Sequence, residues 1–211
     1  MEVSSPGRRL PPAERREQLI DASLAIAAQD GHERLSFERV ANRAGVTRNL
    51  VYHYFPGGRD ELLELAAHRA GEQLLSDWVT DPEIPLGERL AANLNRMLDH
   101  ASGPTDAWLL YRQGRGTVDP GLLEIAAGYR DRLIANIALN QLGTADPPPM
   151  VRVALDGFLA YAETVIEAAV RDELPREQVM ELIAGTLGAA INAGVGAGIP
   201  GPNARRNRHK G

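Results

Sequence analysis

Apolar residues recur at helical spacing along almost the whole chain, and each helical run closes on a glycine or a proline. No other feature limits the fold as strongly. Leu19, Ile20, Ser23, Leu24 and Ala27 share one helical face, and Gly31 stops that run. Ser36 opens a short helix over 37–44, Gly45 breaks it, and Thr47 opens another that ends near Phe55. Pro56, Gly57 and Gly58 make a turn, and a long helix is expected over 59–79, closed by Asp81 and Pro82. Five further segments follow, over 86–101, 106–115, 120–142, 148–171 and 176–193, with a glycine or proline stop at each break. Nowhere do Val, Ile and Thr alternate with polar residues long enough to suggest a strand. The expected fold class is all-α.

Composition narrows the setting. With 211 residues the chain can bury a core without staples. It has no cysteine, which excludes disulfides and thiolate metal sites and fits a reducing, cytoplasmic location. Arg8 and Arg9 have no apolar run behind them, so a secretory signal is not expected. The stretch 183–199 is rich in Gly and Ala and is interrupted by Asn192, so no membrane partner is expected. Net charge is −5, but it is unevenly spread. Residues 1–59 carry a balance of +2, residues 60–204 a balance of −11, and the remaining tail +4. Basic charge therefore accompanies the two short helices, and the acidic bulk follows them.

Those short helices carry the functional signal. Val40 and Ala41 lie on the inner face of the first, and the small Ala41 lets a second helix cross close by. Gly45 supplies the sharp turn, Val46 plugs it, and Val51 with Tyr54 or Phe55 returns to the core. Two short helices joined this way make a helix-turn-helix, whose second helix enters the major groove of DNA. Its outward residues are Arg48, Asn49, Tyr52 and His53. Arginine pairs with guanine and asparagine with adenine, whereas Tyr52 and His53 suit phosphate oxygens. Thr47 and Ser36 are expected to cap the two helices and bring backbone N–H groups towards phosphate.

The stretch 16–63 resembles the DNA-binding domain of the tetracycline-repressor (TetR) family. The likeness is carried by Arg16 through Ala22, by Gly31, by Val40-Ala41-Asn42-Arg43-Ala44-Gly45-Val46, by Val51-Tyr52-His53-Tyr54-Phe55, and by Leu62. It covers about the first third of the chain. Two departures stand out. Pro56-Gly57-Gly58-Arg59 replaces the family's Ser-Lys pair and is one residue longer, so Arg59 would take over the lysine's phosphate contact. Asn49 stands where a small residue is common. The resemblance implies a three-helix DNA-binding domain over 13–56 and a helical ligand-binding and dimerisation domain over 57–196, with disordered tails at 1–12 and 197–211. It further implies a homodimer on a pseudo-palindromic operator in double-stranded DNA. The last two long helices would form the dimer bundle, and Gly185, Gly188 and Ala189 would allow close approach.

A small, mainly apolar effector is expected in the second domain, near Trp108, Tyr111, Tyr129, Phe158 and Tyr161. No cofactor, metal or catalytic residue is expected. Glu64, His68 and Glu72 share a helix face but have the pattern of a solvated stripe. Asp99, His100 and Ser102 have the residue types of a nucleophile triad without its spacing. The competing class is a helical enzyme or ligand carrier with a decayed DNA domain, and it predicts loss of the outward polar residues that are present here.

Overall fold

The computed structural model describes residues 10–76, 78–103 and 105–196; the expected tails lie mostly outside them. Nine α-helices occur among the described residues, and no strand. They are α1 (Pro12–Asp30), α2 (Phe37–Ala44), α3 (Arg48–Tyr54), α4 (Gly58–Leu75), α5 (Leu86–Ser102), α6 (Asp106–Gly116), α7 (Pro120–Leu142), α8 (Pro149–Arg171) and α9 (Arg176–Gly196). A 3₁₀ turn over His32–Arg34, absent from the sequence expectation, follows α1. The helix expected over 59–79 is shorter, ending at Leu75.

The chain divides into two compact units. Residues to Ser76 together with Thr105–Ala126 form the first; α5, the rest of α7, α8 and α9 form the second. This division differs from a cut between residues 56 and 57, because α4 and α6 pack on α1 within the first unit. The core of that unit gathers Leu19, Leu35, Val40, Val51, Phe55 and Leu62, all essentially inaccessible. Helices of seven and eight residues are unstable alone. Here α2 and α3 persist because Val40, Ala41, Val51 and Phe55 are sealed against α1 and α4.

In the second unit α8 packs along α9, with Leu155, Leu159, Ile166 and Ile183 fully buried. The approach is close at Gly194, where an added Cβ would meet the Val151 Cα at 2.8 Å. The buried Glu163 accepts from Arg130 at 3.3 Å, and Arg130 also holds the Asp156 carboxylate and carbonyl. By length and composition alone α9 could cross a membrane, yet only 28 % of its most apolar stretch is buried in this chain. Leu187 on α9 faces the subunit's own interior at 3 % exposure. Exposed apolar residues instead include Met150 and Val153 on α8 and Leu182 and Val195 on α9.

Candidate nucleic-acid interface

Each end of the short helices is fixed by a local device. The Ser36 hydroxyl accepts from the Arg39 N–H at 3.3 Å and the Thr47 hydroxyl from the Leu50 N–H at 3.4 Å. Gly45 closes α2 in the left-handed region at φ 66°, and the next residue's N–H, from Val46, donates to the Ala41 carbonyl at 2.9 Å. Nothing lies within 4 Å of a Cβ placed at Gly45, so its backbone angle, rather than space, calls for glycine.

The register of α3 then follows from its sequence. Val51 and Phe55 are buried, and Thr47, Arg48, Asn49, Tyr52 and His53 are exposed. The four residues expected on the outer side, Arg48, Asn49, Tyr52 and His53, are exposed there together with the capping Thr47, and Ser36 is half-buried at the start of α2. Arg48 donates to the Tyr52 hydroxyl at 2.7 Å, and its guanidinium carbon lies 5.2 Å from the Tyr52 ring centroid. Tyr52 in turn meets Phe37 edge-on, with centroids 4.3 Å apart. The role of Phe37 was not evident from sequence. The Arg48–Tyr52 contact was legible in principle, since residues four apart on a helix are neighbours.

Three other cations of this region are engaged within the fold. Arg39 pairs with Asp30, Arg43 donates to the Gln29 side chain at 3.4 Å, and Arg16 sits over the Phe55 ring at 5.3 Å. Arg59 behaves differently from a simple phosphate ligand. Its Nε donates to the Leu35 carbonyl at 3.2 Å, one terminal nitrogen to the His32 carbonyl at 2.7 Å, and the other to Asp60 at 3.2 Å. It clamps the 3₁₀ turn to the start of α4. The unusual turn before it is also explained: Gly58 has φ 87°, and the Gly57 N–H donates to the Glu61 carboxylate at 2.8 Å.

The five aromatic residues expected around an effector are distributed between the units. Trp108 and Tyr111 are buried on α6 in the first, with ring centroids 6.1 Å apart. Tyr129, Phe158 and Tyr161 belong to the second. There a cavity of about 30 Å³ is lined by Phe158 together with Trp78, Asn93, Asn140, Met97 and Leu187, among others. Trp78 was not among the expected residues; its place beside Asn93 and Asn140 depends on contacts between distant segments. Among the described residues no group of three or more His, Asp or Glu forms a candidate metal site.

Comparison with known proteins decides the family. Residues 19–66 match the family described as "Bacterial regulatory proteins, tetR family". The HTH-type transcriptional repressor KstR of Rhodococcus jostii is 39 % identical over 150 residues, 70 % of each chain. This chain belongs to the TetR family. A shorter match, 38 % over 85 residues, joins it to KstR of Mycolicibacterium smegmatis and spans 40 % of that relative. The same architecture recurs in a TetR-family transcriptional regulator from Streptomyces coelicolor, with a TM-score of 0.69, 24 % identity, and 93 % of this chain and 95 % of that one covered. The chain is accordingly a DNA-binding transcriptional regulator with an N-terminal helix-turn-helix and a C-terminal helical domain, and not an enzyme.

Proposed function

We propose that this TetR-family regulator represses transcription by binding a pseudo-palindromic operator as a homodimer, and that a small, mainly apolar effector releases it. The observation that carries the DNA-reading part is the outer side of α3. Arg48 and Asn49 stand exposed near its start, over a helix anchored by Val51 and Phe55. Arg48 and Asn49 read bases, whereas Ser36, Thr47, Tyr52 and His53 face phosphates. Arg59 reaches phosphate only with donor capacity left over from its three internal acceptors.

The dimer is supported by α8 and α9. Val153 and Leu182 are 65 % and 52 % exposed, an arrangement that leaves apolar surface for a second copy. Gly185 and Gly188 have open space around them within the chain, which suits close helix approach. Two copies reading two half-sites would give the specificity that one short helix lacks. The effector is assigned to the second unit, where Trp78, Met97, Phe158 and Leu187 surround a mainly apolar cavity whose lining also includes Asn93 and Asn140. At about 30 Å³ the cavity admits a molecule larger than water only in a more open state, so the effector acts by favouring that state.

The test is selection of bound fragments from random DNA by the purified full chain, followed by light scattering and a mobility shift with an apolar compound library. Two-fold-symmetric sites, a dimer at micromolar concentration and a compound that both raises the melting temperature and releases DNA are the expected results. A monomer that selects no motif would refute the reading.

A further inference from the structure

We infer that Tyr52 is a positioning residue that holds the Arg48 guanidinium ready for base reading, and so sets how sharply this regulator discriminates between operators. The inference rests on the assignment of base reading to α3 and adds to it the device that aims the reader.

An exposed arginine has several rotatable bonds, and one that wanders must be ordered whenever it meets a base. Arg48 is not left to wander. Its side chain lies four residues from Tyr52, one helical turn along the same face. The phenol oxygen accepts one guanidinium N–H at 2.7 Å, and the ring approaches the guanidinium carbon to 5.2 Å from the centroid. Tyr52 is itself fixed from behind. Its ring meets Phe37 at an interplanar angle of 70°, and Phe37 is 6 % exposed in the core of the first unit. A continuous line of contact thus runs from the buried Phe37 through Tyr52 to Arg48.

The partner's chemistry matters as much as the contact. Arg39 is paired with a carboxylate, Asp30, which competes with any other acceptor. Arg48 is held by a neutral hydroxyl and an aromatic face, which orient a cation without neutralising it. Only one of five guanidinium N–H groups is used in this contact, so a two-pronged edge remains to pair with a guanine. A tyrosine that merely touched phosphate would strengthen binding to every sequence alike. One that aims Arg48 acts at a single base pair.

The experiment uses the full chain and an operator selected from random DNA. Affinities are measured for the operator, for its single-base-pair variants and for nonspecific DNA, with wild type, Arg48→Ala, Tyr52→Ala, Tyr52→Phe and the Arg48→Ala/Tyr52→Ala double variant. Arg48→Ala should reduce the preference at one base pair roughly 10- to 100-fold. Tyr52→Ala should reduce the same preference about tenfold, and Tyr52→Phe should reduce it less because the ring and its Phe37 contact remain. In its preference at that base pair the double variant should match Arg48→Ala, since a guide has no effect on discrimination without the group it guides. Should Tyr52→Ala unfold the reader, Tyr52→Phe decides alone. A uniform, additive loss across all sequences, or unchanged or sharper discrimination in the Tyr52 variants, overturns the positioning role while leaving α3 as the reader. A wild type that discriminates between no sequences overturns both.

Discussion

The outward faces of α3 and of α8–α9 differ in what they leave for a partner. On α3 the exposed residues are polar or aromatic, and the helix spans seven residues held by caps and two buried anchors. On α8 and α9, helices of 23 and 21 residues leave Val153, Leu182 and Val195 uncovered. A polyanion rewards charge and hydrogen-bond donors, whereas a second copy of the chain rewards apolar area. Each face thus suits the chemistry of the partner proposed for it, and each should fail in its own way.

Removing the anchor of the reader should have the largest effect. Phe55 is fully buried, so Phe55→Ala should destabilise the first unit by about 3–5 kcal/mol and abolish operator binding. Light scattering should still report a dimer; loss of both properties would mean that the two faces are not independent. Leu182→Glu tests the other side. A carboxylate buried without a partner in the proposed interface should weaken the dimer by about 3 kcal/mol, seen as a rise in its dissociation constant, with the monomer's helix content intact. An unchanged constant would place the interface elsewhere.

Arg59→Ala should act on stability more than on the salt dependence of DNA binding. Two carbonyls, of His32 and Leu35, would lose their donor, at a cost of about 1–2 kcal/mol in thermal unfolding. If Arg59 mainly clamps the turn, the slope of binding against salt concentration should barely change. A slope lower by about one unit would restore it as a phosphate contact. The smallest effect concerns His100 on α5. Burial, with Arg96 adding to it and Asp99 opposing, holds its imidazole below the ordinary 6.5. The folded chain therefore binds this proton less readily than the unfolded chain does. Its contribution to stability is complete above about pH 6.5 and declines as pH falls from there towards the depressed value. His100→Gln should flatten the melting temperature's decline as the pH falls below about 6.5; an unaltered slope would exclude that linkage.

How far the sequence was legible depended on the range of the deciding contacts. The bounds of α2 are recovered in full, because Ser36 and Gly45 act on their immediate neighbours, and those of α3 to within a residue, because Thr47 does the same. The outer side of α3 followed from the same local spacing. The end of α4 was missed. Trp78 and Val79 look like further apolar helix, but Asn93 takes both the N–H and the carbonyl of Val79, at 2.9 and 3.0 Å, and Asn140 adds a bond to that carbonyl at 2.9 Å. Those partners lie 14 and 61 residues away and leave no local trace. Likewise the 3₁₀ turn is held by Arg59, and the inward orientation of Leu187 depends on which side of α9 meets α8.

The glycines of α9 carry a consequence for mutational tolerance. At Gly194 a side chain would strike the Val151 backbone of the same subunit, whereas Gly185 and Gly188 have nothing within 4 Å of an added Cβ. Intolerance at the first is therefore a property of the single chain, present even at high dilution. A β-carbon at the other two meets no such obstacle in the chain, so intolerance to a small replacement there points to a molecule that the chain meets, and it should fade where that encounter is prevented.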